Sequence, residues 1–509
     1  MIELTVAQIA EIVGGELADV SAADAARLHI TGSVEFDSRQ VTDGGLFLAL
    51  PGARADGHDH AAAAIQAGAV AVLAARPVGV PAIVVSPQGP STSSSSVLEH
   101  DADGSGAAVL TALARLAAFV AGELVAGGLT IVGVTGSSGK TSTKDLIAAV
   151  LAPLGEVVAP PGSFNNELGH PWTVLRATPD TDFLVLEMSA RRPGNIAELA
   201  AIAPPSVAVV LNVGTAHLGE FGSREAIAAT KAELPQAVPP SGVVILNVDD
   251  STVAAMADLT AARVVRVSRQ SSAADVWADD IRLDELARPS FTLHAADLEV
   301  PVALAVHGDH QVANALSAAA VALECGATGP QLAAALSGAT PASAQRMEVT
   351  TRPDGVTVIN DAYNANPDSM RAGLQALAWI SRQAQGGRRS WAVLGEMAEL
   401  GDDAISEHDR VGRLAVRLDV SRLVVVGTGR SMRAMHHGAV MEGFWGGPEN
   451  ARAAMVDDAD AALSLLRAEL APGDVVLVKA SNAAGLGALA RAISGDEPLA
   501  RRADSEEPS

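Results

Sequence analysis

Cysteine, tyrosine and aromatic residues are scarce in this chain: one Cys, one Tyr and 3% aromatics in 509 residues. A lone Cys325 cannot form an internal disulfide or a thiolate metal cluster, so neither scaffold is open to the fold. Positive charge is also short. The 35 basic residues face 59 acidic ones, for a net charge of −24. So acidic a surface repels phosphate backbones and anionic lipid, and neither nucleic-acid binding nor stable membrane association is expected. No apolar run reaches the length of about 18 residues that spans a bilayer, and the most suspicious stretch, Ala61 to Ala75, is short and rich in Ala and Gly. The first residues, MIELTVAQIAEIVGGELADV, carry acids early and lack a basic-then-apolar layout. No secretory signal is expected, and a cytoplasmic setting is. What is present is core material: 49% hydrophobic and 18% charged residues, enough for roughly three domains at about 100–200 residues each.

Lysine is the informative shortage. Only Lys140, Lys144, Lys231 and Lys479 occur among the 35 basic residues, the rest being Arg. A lysine that persists in an Arg-biased chain is a candidate for chemistry a guanidinium cannot perform, as a compact point charge or a neutral amine. For Lys144, a leftover on the surface explains the residue equally well.

Three blocks separate by composition. Residues 1–106 hold a short helix signal (Val6 to Val13), a hairpin-like stretch in VEFDSRQVTDGGLFLAL, a helix over Ala61 to Leu73 and a strand over Ala82 to Val85. The block closes in PSTSSSSVLEHDADGSG, which reads as a mobile surface loop or linker. Over residues 107–340, apolar runs such as LTIVGVTG, DFLVLEMS, SVAVVLNVG and GVVILNVDD alternate with Ala/Leu-rich helical stretches. Continuous β-branched runs between helices predict a mostly parallel sheet. Residues 341–495 repeat the style with VTVINDAYN, WAVLGEM, RLVVVGTG and DVVLVKAS, and 496–509 form a polar tail expected to be disordered. The fold class is therefore α/β in three domains: a small N-terminal α/β unit, a central P-loop-type sheet flanked by helices, and a C-terminal Rossmann-like unit.

The strongest motif is LTIVGVTGSSGKTSTKDLIAAVL. An apolar strand runs into a loop of Gly136, Ser137, Ser138 and Gly139, then Lys140, Thr141 and Ser142 open an amphipathic helix. Loop and helix N–H groups form an anion cradle, the lysine reaches terminal phosphates, and the threonine hydroxyl suits Mg²⁺. The spacing is the short form TGxxGKT, because Val134 stands where a longer loop would begin with Gly.

Glu187 ends the next apolar strand and His217 follows the one after, in NVGTAHLGEF. The carboxyl ends of parallel strands are where ligands sit, so both side chains are candidate metal ligands beside the phosphates. A hydrogen-bonded structural histidine is the plain alternative for His217. Lys231 lies on a helix after it with no acid three or four residues before it, so an intrahelical ion pair does not explain it. A buried lysine with a lowered pKa is nucleophilic when neutral and can take up CO₂ as a carbamate, a negative group able to bind Mg²⁺. In VINDAYNANPDSM a strand ends at Asp361 and an Asn-rich turn holds Tyr363, side chains suited to ribose and base edges. An Asx-rich turn before a helix fits the same residues.

Together these segments resemble the Mur ligase family of ATP-dependent amide-forming enzymes, over nearly the whole chain. DSR (Asp37 to Arg39) with FLALPGARADGHD resembles the N-terminal domain that receives the UDP-sugar, which implicates Ser38 and Arg39 in substrate binding. SFNNELGHPWTVL resembles the FNNExGxP segment of one branch, which implies that Asn165 and Asn166 lie near the UDP-N-acetylmuramoyl substrate. Thr141, Glu187, the NxGxAH segment ending at His217, and Lys231 in KAE match the family's metal ligands and its carbamylated lysine. GDHQVANALSAA resembles the segment that supplies the family's adenine-contacting Asn, here Asn314, and Arg346, Asp361 and Tyr363 match its γ-phosphate and ribose contacts. The resemblance implies ATP, two Mg²⁺ sites, a carbamate on Lys231, a monomer, and ligation of D-alanyl-D-alanine to UDP-N-acetylmuramoyl-tripeptide through an acyl phosphate. Lys140, Glu187, His217 and Lys231 are then the catalytic set.

The chain departs from the family pattern in three places. KASN (Lys479 to Asn482) stands for KGSR, EMSARRPG for ELGANHxG, and Ser91 to Ser96 reads as an insertion. The alternatives are a Mur-type ligase for another amino acid, or a P-loop ATPase acting as a switch or transport subunit without ligation. Against the switch, no clear Walker B strand ending in Asp follows the loop.

Overall fold

In the computed structural model the described residues are 1–52, 55–87, 89, 96–214, 218–383, 387–444 and 452–495. Near the N-terminus, Thr5 and Gln8 form a reciprocal capping box, and the helix Val6–Val13 ends at Gly14 in the left-handed region (φ 71°). A five-stranded sheet follows in the order Glu16–Ala18, Ala82–Val84, Ala69–Ala74, Gly45–Leu48 and Val34–Glu35.

Two local expectations change here. Val34–Glu35 and Gly45–Leu48 pair in parallel, Val34 opposite Leu46, and so do not form a hairpin. The intervening residues fold their own turn, with Gln40 N donating to Asp37 O (2.9 Å), and the chain re-enters in the same direction after Gly44 (φ 79°). The helix expected over Ala61 to Leu73 stops at Gln66. Gly68 (φ 117°) turns the chain, and AVAVLA, with β-branched residues in a buried run, becomes a strand.

The nine-stranded central sheet runs Leu298–Ala303, Pro289–Ala295, Val276–Leu283, Arg263–Ser268, Val243–Asn247, Val207–Val210, Thr130–Thr135, Phe183–Glu187, Val157–Val158. Seven strands, from Val276–Leu283 to Val157–Val158, are parallel, and the other two add antiparallel pairs at one edge. The edge ribbon was not expected, since its alternating burial is weaker than the buried apolar runs. Helices Lys140–Leu151 and Gln311–Glu324 cover one face through Leu146, Ile147, Val150, Val312, Ala315 and Ala319.

Helix Ser105–Ala126 is, among the described residues, long and apolar enough by length and composition to cross a membrane. The longest apolar stretch is therefore this helix and not Ala61–Ala75. In the fold it buries Val109, Leu113, Leu116, Ala117 and Val120 in a core shared with helix Val6–Val13 and the central sheet.

The C-terminal sheet runs Glu348–Thr351, Thr357–Asn360, Val475–Lys479, Ser390–Leu394, Arg422–Val426, Ala453–Val456, parallel except for its first pair. It meets the central unit at several points. Trp379 Nε1 donates to Asp284 O (2.7 Å), and a Cβ on Gly219 would fall 2.4 Å from Gly401 N. The Ser91 to Ser96 insertion lies, up to Ser95, outside the described residues, as does the tail from 496 onward.

Candidate active site

The strand Thr130–Thr135 sits where the sheet order reverses, with Phe183–Glu187 on one side and Val207–Val210 on the other. Ligands bind outside the carboxyl ends of such strands. Gly139 starts the following helix at φ 82°, and a Cβ there would lie 2.8 Å from Asn314 Oδ1, so the position takes glycine for two reasons. Asn212 clamps the loop. Its Oδ1 accepts from Ser137 N and Ser138 N (both 3.0 Å), and its Nδ2 donates to Ser138 O (3.1 Å). Ser137 Oγ in turn accepts from Gly214 N (2.9 Å). Lys140 Nζ donates to Gly136 O at 2.8 Å; burial lowers its pKa, with Glu187 opposing that shift.

Glu187 is the hub. Its Oε2 accepts from Thr141 Oγ1 (2.9 Å), and its Oε1 accepts from Ser163 Oγ (3.0 Å) and Asn165 Nδ2 (2.6 Å). The carboxylate is 1% exposed. From the C-terminal unit Arg346 Nη2 donates to Thr141 Oγ1 (3.2 Å), and its guanidinium lies over the Tyr363 ring at 4.3 Å. All of these groups line one cleft of about 1200 Å³, together with Ser137, Ser138 and Ser142. Asn166 also lines it, while its Oδ1 caps the next helix by accepting from Gly169 N (2.9 Å).

The lysines divide by role. Lys231 is buried, and its amino group is held well below the ordinary lysine value by desolvation first and by the nearby Lys140 charge second. Lys144 is not a surface leftover: it is 1% exposed, donates to Pro160 O (2.6 Å) and pairs with Asp145 (2.5 Å). It cross-links the phosphate-loop helix to the chain before Ser163. Lys479 is equally buried and pairs with Asp361 Oδ2 at 2.5 Å. Asp361 Oδ1 accepts from Met347 N (3.1 Å), so this carboxylate fastens the C-terminal sheet internally and leaves the cleft to Tyr363 and Arg346.

Asn314 stands behind the loop, its Nδ2 on Gln311 Oε1 (2.8 Å). Ser38 and Arg39 lie in the N-terminal unit away from the cleft lining, with Arg39 paired to Asp37 (2.7 Å) and holding that carboxyl down to about 2. His217 lies outside the described residues. Among the described residues no group of three or more His, Cys, Asp or Glu converges. The oxygen-rich set of Thr141, Glu187 and Ser163 nonetheless suits a hard cation such as Mg²⁺.

Reading the sequence missed the Asn212 clamp as a residue-level role and the Glu233 cap. Glu233 accepts from Gly194 N (2.6 Å) and Ala197 N (3.0 Å) at the start of helix Asn195–Ile202. A carboxylate 39 and 36 residues from its partners carries no signal for such a contact. The substituted EMSARRPG segment is built into the cleft wall: Arg191 reaches Glu399 (2.8 Å) across the unit boundary, and Arg192 pairs with Glu198 (2.7 Å).

Comparison with known proteins matches three profiles in chain order: "Mur ligase family, catalytic domain" over 30–120, "Mur ligase middle domain" over 134–322, and "Mur ligase, glutamate ligase domain" over 345–482. The chain is 74% identical over 504 residues to the UDP-N-acetylmuramoyl-tripeptide–D-alanyl-D-alanine ligase of Mycobacterium tuberculosis, covering 98% of this chain and 99% of that one. It is 32% identical to the enzyme of that name from Escherichia coli, covering 84% and 86%. Among solved structures it is similar to MurF from Acinetobacter baumannii (TM-score 0.78, 27% identity, 97% and 99% covered). It is also similar to MurF ligase from Thermotoga maritima in complex with ADP (TM-score 0.72, 27% identity, 92% and 98% covered).

Proposed function

Because the chain belongs to the Mur ligase family, we propose that it joins D-alanyl-D-alanine to UDP-N-acetylmuramoyl-tripeptide with ATP, releasing ADP and phosphate, in peptidoglycan precursor synthesis. The observation that carries this reading is the meeting of a clamped phosphate loop, the Thr141–Glu187 hub and the C-terminal Arg346 on one cleft.

A carboxylate does not acylate an amine at neutral pH because its oxygen is a poor leaving group. Transfer of the γ-phosphoryl group to the terminal carboxylate of the tripeptide gives an acyl phosphate, and the dipeptide amine then displaces phosphate. The loop amides and Lys140 hold the nucleotide phosphates, and Arg346, steadied by Tyr363, brings a second positive charge to the transferring group. Asn165 and Ser163 orient the Glu187 carboxylate. Thr141, Glu187, His217 and a carbamate on Lys231 would hold Mg²⁺ in two sites, and the metal supplies charge neutralisation on the phosphate oxygens. Burial and the Lys140 charge favour the neutral amine that carbamate formation requires. Asn314 behind Gly139 supports the loop beside the adenine side of the site. Ser38 and Arg39 would receive the UDP portion after the N-terminal unit approaches. Three domains, divided near residues 106 and 340, contribute to one reaction in a monomer working in the cytoplasm.

Phosphate release dependent on both UDP-N-acetylmuramoyl-tripeptide and D-alanyl-D-alanine tests the reading. Release in the absence of either would favour the ATPase-switch alternative.

A further inference from the structure

Four glutamates line the cleft: Glu167, Glu187, Glu198 and Glu399. Three are engaged. Glu187 takes Thr141, Ser163 and Asn165; Glu198 takes Arg192; Glu399 takes Arg191. Glu167 differs, because its Oε1 is shut from solvent and has no hydrogen-bond partner. A carboxylate oxygen left without a donor costs on the order of 1–3 kcal/mol or more, and turning the carboxylate toward an N–H in the cleft that the residue lines removes that cost.

The turn that carries Glu167 is stiff. A Cβ on Gly169 would fall 2.7 Å from Phe164 Cα, Asn166 caps the following helix, and Trp172 Nε1 bonds Val34 O (2.9 Å). Two residues before Glu167, Asn165 touches Glu187 at 2.6 Å, so the turn also reaches the phosphoryl-transfer end of the cleft.

Resting on the ligation reading above, we propose that Glu167 is the catalytic base for the incoming dipeptide: it receives the dipeptide ammonium and takes its first proton. A free α-amino group has a pKa of about 8, so at pH 7 about nine-tenths of it arrives protonated and cannot attack. Transfer of one proton to Glu167 Oε1 leaves a neutral amine. Its lone pair forms the C–N bond at the acyl-phosphate carbon, and the C–O bond to phosphate breaks. The second nitrogen proton leaves with the phosphate as HPO₄²⁻, and Glu167 returns its proton to water. The other charged groups lining the cleft are Lys140, Arg346, Arg191, Arg192 and the three engaged glutamates. The four cations are directed at Gly136 O, Thr141, Glu399 and Glu198.

The test separates the two half-reactions in the full-length enzyme. Hydroxylamine, a neutral nucleophile at pH 7, traps the acyl phosphate as a hydroxamate without needing a base. In Glu167→Gln, hydroxamate formation from ATP and UDP-N-acetylmuramoyl-tripeptide should stay within about threefold of wild type, while kcat for D-alanyl-D-alanine falls about tenfold at pH 7, the factor by which protonated amine outnumbers neutral amine there. The loss should shrink as pH rises toward 9 and the free amine becomes abundant, and Glu167→Asp should fall in between. Equal loss of both half-reactions in Gln and Asp variants, unchanged ligation, or a loss that does not shrink with pH would each overturn the proposal. If wild-type enzyme makes no hydroxamate, the ligation reading itself fails.

Discussion

The Thr141 hydroxyl donates to the Glu187 carboxylate across 2.9 Å, joining the first turn of the phosphate-loop helix to the end of the neighbouring strand. Arg346 reaches the same hydroxyl from the C-terminal unit at 3.2 Å. One oxygen thus joins the phosphate-loop helix, the neighbouring strand and the C-terminal unit.

Lys140→Ala should abolish turnover with little change in melting temperature, because among the described residues the ammonium hydrogen-bonds Gly136 O alone and packs no core. Lys140→Arg should fail nearly as badly, since a planar fork does not fit a cradle closed by the loop's own carbonyl. Near-normal activity in the Arg variant would remove the phosphate-loop assignment.

Asn212→Ala deletes four hydrogen bonds to the loop and leaves Ser137 N with the Asn212 backbone carbonyl at 3.1 Å. A cost of about 1–3 kcal/mol is expected, appearing as weaker ATP affinity by roughly tenfold or more. Nucleotide titration by calorimetry measures it. Unchanged affinity would mean that the loop holds its shape without the clamp.

Much of this organisation was legible in the sequence. The buried strands Thr130–Thr135, Phe183–Glu187, Val207–Val210 and Val475–Lys479 stand out as apolar runs, and TGSSGKT marks the junction of strand, loop and helix between Thr135 and Lys140. Pairing direction was less legible: nothing local in VEFDSRQVTDGGLFLAL says that its two strands run parallel, since that depends on how residues 36–44 fold. The partners of Asp361 were hidden for a related reason. A carboxylate after a strand suits a ribose or a buried cation equally, and its partner Lys479 lies 118 residues away. Of the four lysines, scarcity correctly drew attention to Lys144 but not to its structural role.

Lys479→Ala should destabilise the C-terminal unit by about 3–5 kcal/mol, because Asp361 would keep its charge in a buried site without its cation. Lys479→Met with Asp361→Asn should recover much of that loss, since the pair is removed together. Thermal unfolding of the two variants checks this; equal destabilisation in both would deny the ion pair its role.

Burial pushes the fully buried His170 imidazole down to about 4, and neither ring nitrogen closes a hydrogen bond, although the Leu199 backbone is close by. An unfolded histidine binds its proton near pH 6.5, so between about 6.5 and 4 the unfolded chain holds the extra proton. Stability therefore falls as pH drops through that window, by about 3 kcal/mol in all for this group. Denaturant unfolding of wild type and His170→Leu from pH 7 to pH 4 should show a shallower acid decline in the variant. Parallel curves would contradict the assignment.

Lys231→Ala should lose activity and regain part of it with added short-chain carboxylic acids, which replace the anion of a carbamate, whereas amines should give nothing. Rescue by amines alone would show that Lys231 works as a cation.

The most direct measurement is the mass of the product formed from ATP, UDP-N-acetylmuramoyl-tripeptide and D-alanyl-D-alanine, followed alongside phosphate release. The account predicts a new species heavier than the tripeptide substrate by one dipeptide less one water, with one phosphate per product. ATP hydrolysis with no such species, or undiminished hydrolysis when either acceptor is left out, would contradict it.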